Sequence, residues 1–507
     1  MTANLGIKGK GCRNDIINLI ILIFIAILLG VYLIATTVMI SKDGVFYIER
    51  AQKLSSEPIS IIKSHPPGYP FLIFGAHKLI SFFNDSSSER GWIYTAQSVS
   101  LFCRVFALVP LYFIGKLLVG SRNSFWALVI LILLPYSAKY GSDTLRDWPH
   151  ILFLAMGFLL LLWGAKQGKW AMFGLVGLAC GLGHIIRPEC AQLVVYGILW
   201  LLIGLFLPRR NMSRPKLVFA LFILIVGFTI PTALYVKARG KILPRKVEVL
   251  ISSSHQLQSK VVQDPKIDCY SNEFNMAESI PINVIKAIGE LFEGISNNLM
   301  HFFMLPLMLG FHLRFRKRAA TTDVEKFFIP VFIVFNIMMA VLLYSHWKYI
   351  SRRHCLPLVV FTIFYVPTGL CALSEWLAVK FPKGRLENYR KPRLWFFILI
   401  ITGLVGCTPK LLRPINVDKK AYKEAAQWLR ENTGENDLLA VFDKRIGFYA
   451  ERKRLVYVKS IPDGAQYVVT AVRSGNEKLD ADKGLRKELS LWINREKTKK
   501  IVVYKIL

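Results

Sequence analysis

Asp43 follows a long apolar run directly, in Ser41-Lys42-Asp43-Gly44-Val45-Phe46-Tyr47, and a short way on the chain reads His65-Pro66-Pro67-Gly68-Tyr69-Pro70. A carboxylate held where an apolar helix meets water is costly to keep unless it serves a purpose. Other ionisable residues fall at comparable places: Lys63 and His65 in the same stretch, then Asp143, Arg146 and Asp147, then His184, Arg187 and Glu189, and finally His346, Lys348, Arg352, Arg353 and His354. If these connectors meet on one side of a membrane, carboxylates come to lie near guanidinium and ammonium groups. That set suits a reaction in which a base deprotonates a hydroxyl while cations hold a phosphate leaving group.

Each residue also has a plainer reading. Asp43 can cap a helix, since Asp is a favoured N-cap residue and the next residues look helical. Arg187-Pro188-Glu189 can be a tight turn with a local ion pair, and Arg352 and Arg353 can snorkel to lipid phosphates. Asp147 can pair with Arg146 or with a neighbouring helix. Singly, the plainer reading is favoured for all except Asp43; the shared side is what weighs against it.

The elements that must position these residues follow from composition. The chain has 507 residues, 53% of them hydrophobic, and a mean hydropathy of +0.41, which excludes an ordinary soluble protein. Runs of roughly twenty apolar residues, enough for a helix to cross the hydrocarbon core, recur over most of the chain. The spans are placed at 16–40, 94–118, 123–140, 148–165, 170–186, 190–207, 216–237, 298–313, 327–345, 355–379 and 394–409. The expected fold class is therefore mainly α: a polytopic membrane bundle of about eleven spans, with a small C-terminal extracytoplasmic α/β domain. The first run is longer than a signal-peptide core and lacks a small-residue cleavage site, so it is read as a retained helix.

The net charge of +32 gathers in short connectors such as Arg209-Arg210, Arg314 to Arg318 and the stretch 380–393. By the positive-inside rule these are cytoplasmic, as is the N-terminus with Lys8, Lys10 and Arg13. An odd number of spans then puts everything after Lys410 outside. The basic runs lack interleaved aromatics, which argues against nucleic acid. Eight scattered cysteines show no zinc spacing and no disulfide framework.

Residues 1–409 form the membrane domain, with outer loops at 41–93 and 238–297, and 410–507 the soluble domain. In the first loop, Asp43, Tyr47, Arg50 and Leu54 recur at helical spacing, which predicts a short interfacial helix with Asp43 at its start. Pro66 and Pro67 stiffen the chain beside Lys63 and His65. Strands are expected at 438–442, 467–472 and 501–506, with a helix face at Tyr422, Ala425, Ala426 and Leu429. A mere capping role for this domain weighs as much as a substrate-binding one.

Taken as a set, Asp43-Gly44-Val45-Phe46-Tyr47, His65-Pro66-Pro67-Gly68-Tyr69-Pro70, Arg187-Pro188-Glu189 and Ser351-Arg352-Arg353-His354-Cys355-Leu356-Pro357 resemble the markers of membrane glycosyltransferases of the C-type fold (GT-C). The resemblance is greatest to glycosyltransferase family 39 and its Rgt-like relatives, the group of protein O-mannosyltransferases and the lipid A aminoarabinose transferase. The stretch Tyr422 to Leu429 and Phe448-Tyr449-Ala450 are similar to the extracytoplasmic domains of such enzymes. The resemblance implies transfer of a sugar from a polyprenyl-phosphate carrier to a lipid, glycan or protein acceptor on the outer face, in a bacterial inner membrane.

It implies Asp43 as general base and a phosphate contact at Lys63 and His65. To these the chain's own outer cations add Arg187, Arg352 and Arg353 as phosphate ligands, with Tyr47, Asp143, Asp147 and Glu189 as acceptor or auxiliary groups. The family commonly has an acid directly after the first Asp, where this chain has Gly44; Asp143 or Asp147 is the expected substitute. A divalent cation held by Asp43 and Asp147 is left open. The alternative is a transporter or lipid flippase, which predicts internal repeats and charges near mid-membrane; no clear repeat is visible.

Overall fold

The computed structural model describes residues 9–83, 88–207, 212–240, 280–316, 321–380, 391–457, 460–473, 484–494 and 496–507. Much of the stretch 238–297, expected as the second outer loop, and parts of the three basic connectors lie outside the described residues. In chain order the first helices are α1 (Gly9–Ala35), α2 (Lys42–Gln52), α3 (Pro58–Ser64), α4 (Gly68–Ser81), α5 (Glu89–Val119), α6 (Ser121–Leu133), α7 (Pro135–Tyr140), α8 (Asp147–Gln167), α9 (Ala171–Ile186), α10 (Gln192–Phe206) and α11 (Arg214–Arg239). There follow α12 (Ile280–Asn298), α13 (Met304–Arg316), α14 (Asp323–Trp347), α15 (Leu356–Thr362), α16 (Val366–Lys380) and α17 (Pro392–Leu411).

Among the described residues eight helical stretches are long and apolar enough to cross a membrane, while α6 and α9 are shorter apolar helices. The expected span 123–140 divides into α6 and α7, because Pro135 has no N–H to continue the ladder and opens a new helix at its first turn. The bundle is held by apolar packing, with α9 lying along both α8 and α11. At Gly177 a Cβ would meet the Leu224 carbonyl oxygen at 2.2 Å, so only glycine lets α9 and α11 approach this closely.

The C-terminal part folds as α/β, as the sequence predicts. Helices α18 (Lys420–Asn432) and α19 (Lys444–Tyr449) accompany strands β1 (Leu438–Val441), β2 (Lys453–Val456), β3 (Tyr467–Arg473), β4 (Leu485–Trp492) and β5 (Lys499–Ile506). The sheet order is β2-β1-β3-β5-β4, parallel across β2, β1 and β3 and antiparallel across β3, β5 and β4. Ala425, Ala426 and Leu429 of α18 pack on Leu439, Val441, Val469 and Val503, which form the inner face of the sheet.

This domain sits on the first loop. Ile40 donates its backbone N–H to the Tyr449 hydroxyl at 2.9 Å, Asn416 donates to the Met39 carbonyl at 2.8 Å, and Arg454 pairs with Glu49. Phe448 is fully buried in a cluster with Ile40, Val45, Ile48 and Tyr69. Domain and loop therefore share one apolar core.

Candidate active site

Helix α2 starts where the sequence places it, but its cap is Ser41. That residue is extended (φ −61°, ψ 155°), and its Oγ accepts the Gly44 N–H at 3.2 Å. The cap needs an extended backbone, and Asp43 already lies inside the helix. Asp43 is thus released from the capping role and stands in the first turn, where the helix dipole favours a carboxylate. Val45, Ile48 and Ala51 bury the opposite face.

Gly44 has a steric reason. A Cβ there would stand 2.8 Å from Thr144 Cβ and 3.2 Å from its carbonyl oxygen, so α2 lies directly on the turn before α8. That turn is fixed from α5: Gln97 donates to the Ser142 carbonyl at 3.0 Å, and Ser100 to that of Leu145 at 3.2 Å. An acid at position 44 has no room.

Acids and bases from the distant connectors meet here. Arg353 Nη1 donates to Asp43 Oδ2 at 2.8 Å, and its Nε donates to Asp147 Oδ2 at 2.9 Å. Arg187 Nη1 donates to the other Asp147 oxygen at 2.8 Å, and its Nε lies 3.2 Å from Glu189 Oε1. The result is one chain, Asp43–Arg353–Asp147–Arg187–Glu189, in which Asp147 is 1% exposed with both oxygens engaged. Burial alone would lower the pKa of Arg353, but the Asp147 and Asp43 carboxylates outweigh it and hold the guanidinium well above its ordinary range. The two carboxylates as placed hold a guanidinium between them, not the oxygen cage that a divalent ion needs.

Asp143 lies apart from this chain. Its Oδ1 accepts the N–H groups of Ser41 (3.0 Å) and Thr144 (2.7 Å), tying the start of α2 to the turn before α8. Burial pushes its carboxyl up to about 6 against the pull of those two N–H groups. Of the two acids proposed to replace the one missing at position 44, Asp147 shares a guanidinium with Asp43, and Asp143 serves the backbone.

Beside the Asp43 end of the chain opens a cavity of about 340 Å³, lined by Lys42, Asp43, Phe46, Tyr47, Arg50, His65, Pro66, Pro70, Arg146 and Lys444. Tyr47 stands edge-on to Tyr69 at 5.1 Å, and burial raises its hydroxyl pKa. His65 stands edge-on to Phe46 at 5.2 Å. Arg50 lies 3.9 Å over the Phe46 ring, and Arg146 lies 6.0 Å over that of Tyr47. Among the described residues no carboxylate lies within 4.0 Å of Lys42, Arg50, Arg146 or Lys444. The one carboxylate in the lining already carries Arg353, so the cavity has a surplus of positive charge suited to a multiply charged anion.

Of the cations expected to hold phosphate, His65 alone lines this cavity. Lys63 is exposed at the end of α3, and Arg352 turns away to donate to the Tyr136 hydroxyl at 2.5 Å. Arg187 and Arg353 belong to the ion-pair chain. Sequence reasoning left Lys42, Arg50 and Lys444 out of the candidates and Arg146 without a role. For Arg50 a signal existed, since it lies seven residues after Asp43 on the same helical face.

The chain has the GT-C fold, the fold of the membrane glycosyltransferases that its loop motifs resemble. The family model described as dolichyl-phosphate-mannose-protein mannosyltransferase matches residues 64–234, less than half of the chain. The archaeal oligosaccharyltransferase AglB of Archaeoglobus fulgidus, solved with an inhibitory peptide and a dolichol-phosphate, is similar with a TM-score of 0.55 at 12% identity, over 90% of this chain and 69% of that one. ArnT of Cupriavidus metallidurans bound to undecaprenyl phosphate is similar at 0.52 and 12% identity, over 96% and 97% of the two chains, and its apo form at 0.54 and 10%, over 95% and 97%. No curated protein matches the sequence.

Proposed function

We propose that the protein transfers a sugar from a polyprenyl-phosphate carrier to a hydroxyl of a lipid, glycan or protein acceptor on the extracytoplasmic face of a bacterial inner membrane, with Asp43 as general base. The observation that carries this reading is the cavity in which one oriented carboxylate faces a wall of cations without acidic partners. Arg353 holds Asp43 Oδ2, and Oδ1, which has no partner among the described residues, is left to take the acceptor proton. The acceptor oxygen bonds to the anomeric carbon as the bond from that carbon to the phosphate oxygen breaks. The electron pair leaves with the phosphate, and the proton ends on Asp43.

Arg50, Arg146 and His65 receive the phosphate, a task for which the planar guanidinium is suited. The solved relatives whose structures hold dolichol-phosphate and undecaprenyl phosphate support the donor class. Arg353, Asp147, Arg187 and Glu189 orient the base. The test is transfer of labelled sugar from polyprenyl-phosphate donors in membranes containing the protein. Sugar appearing on an extractable acceptor supports the reading, and no transfer from any such donor contradicts it.

A further inference from the structure

We infer that Lys444, supplied by the C-terminal domain, binds the donor phosphate, so that the domain completes the active site instead of only covering it. This deepens the transferase reading and rests on it. Lys444 opens α19, the helix whose Phe448 and Tyr449 are set into the first loop, and it lines the cavity together with Asp43. Its Nζ stands 5.0 Å from the centre of the Phe46 ring. Three attachments fix this position: the Ile40 bond to Tyr449, the Arg454 pair with Glu49, and buried Phe448.

Among the described residues the acids near Lys444, which are Asp443, Glu49 and Asp43, are engaged elsewhere. Asp443 receives the Arg445 guanidinium at 2.7 and 3.0 Å, Glu49 carries Arg454, and Asp43 carries Arg353. Burial therefore lowers the ammonium of Lys444 to about 8, with Glu49 and Asp43 opposing the shift and Lys42 and Arg454 adding to it. A half-buried ammonium without an acidic partner is relieved by a bound anion. Arg50 and Arg146 line the same cavity, and a phosphate with several oxygens can engage more than one of these cations.

The test uses the full chain purified in detergent, titrated with undecaprenyl phosphate and, separately, with inorganic phosphate. Lys444→Met should weaken the lipid phosphate about tenfold and raise the donor KM more than it lowers kcat, as expected for loss of one charged phosphate contact. Lys444→Arg should restore most of the affinity, and Lys423→Met on the exposed face of α18 should change nothing. Melting curves accompany each variant, and Lys444→Gln replaces Lys444→Met should the latter melt early.

Wild-type binding that Lys444→Met leaves unchanged overturns the inference and leaves the transferase reading standing. Wild type that binds no lipid phosphate overturns both. Inorganic phosphate bound as tightly as the lipid overturns assignment of the site to a lipid-linked donor.

Discussion

The ion-pair chain and the cavity wall lie side by side and are built from the same residue types, yet they differ in how their charge is balanced. In the chain, Arg353 and Arg187 share Asp147 between them, with Asp43 and Glu189 at the two ends. In the wall, Lys42, Arg50, Arg146 and Lys444 surround a single carboxylate that is already paired. Balanced charge fixes geometry, because each group is held by its neighbour. Unbalanced charge is available to a ligand. In the proposed reaction, that difference separates the residues that would aim the base from those that would bind the anion.

The largest effect should come from breaking the chain. Arg353→Ala leaves buried Asp147 with one partner fewer, which typically costs about 3–5 kcal/mol, and it also frees Asp43 to turn. Turnover should fall by roughly 10²–10⁴, with a clear drop in melting temperature. Arg353→Lys should recover little of the activity, since one ammonium cannot reproduce the fork that reaches both carboxylates. An Arg353→Ala variant with wild-type kinetics would erase the distinction between chain and wall.

Changes in the wall should act on the donor instead. Arg50→Ala and Arg146→Ala are each expected to raise the donor KM about tenfold, as for loss of one charged phosphate contact, with unchanged melting because neither holds a carboxylate. Arg352→Ala, at the Tyr136 contact outside the cavity, should have a much smaller effect on KM. Steady-state kinetics over donor concentration separates the two outcomes.

The smallest effect on transfer is predicted at Asp143. Its folded pKa is raised from 3.8 to about 6, so the stability it contributes is complete below the ordinary carboxylate value and is lost as pH rises through about 6. The charged carboxylate then costs roughly 3 kcal/mol at neutral pH, at 1.36 kcal/mol for each pKa unit. Asp143→Asn keeps an oxygen to accept the Ser41 and Thr144 N–H groups and removes that charge. Melting from pH 4 to pH 8 should decline less in the variant, and transfer activity should stay within about twofold of wild type at neutral pH, since Asp143 touches neither chain nor cavity.

The sequence makes the bundle and the connectors that meet at the candidate site legible, because apolar runs mark helices and charges at their ends mark those connectors. The stripe Asp43, Tyr47 and Arg50 is also legible, being set by helical repeat alone. Ser41 as the cap was not, since Ser41 and Asp43 are both good capping residues and only the backbone angles choose between them. Gly44 reads as a missing acid until Thr144 is seen packed on it.

The pairing of Arg353 with Asp43 joins residues far apart in sequence, and local periodicity carries no trace of it. Lys444 is further removed still, in another domain. Strands β2 and β4 are not legible for a related reason: Lys453–Val456 is a mostly exposed edge, and Leu485–Trp492 mixes charges with half-buried positions. Edge strands carry weak apolar patterns.

In the proposed reaction Asp43 is the base, aimed by Arg353, and does not itself bind the donor. Asp43→Asn tests it, because the amide oxygen can still accept from Arg353 but the side chain can no longer take a proton. Transfer of labelled sugar and binding of undecaprenyl phosphate should be measured on the same preparation. Transfer should fall by roughly 10²–10⁴ with phosphate binding held within a few-fold; full transfer by Asp43→Asn would contradict Asp43 as the base.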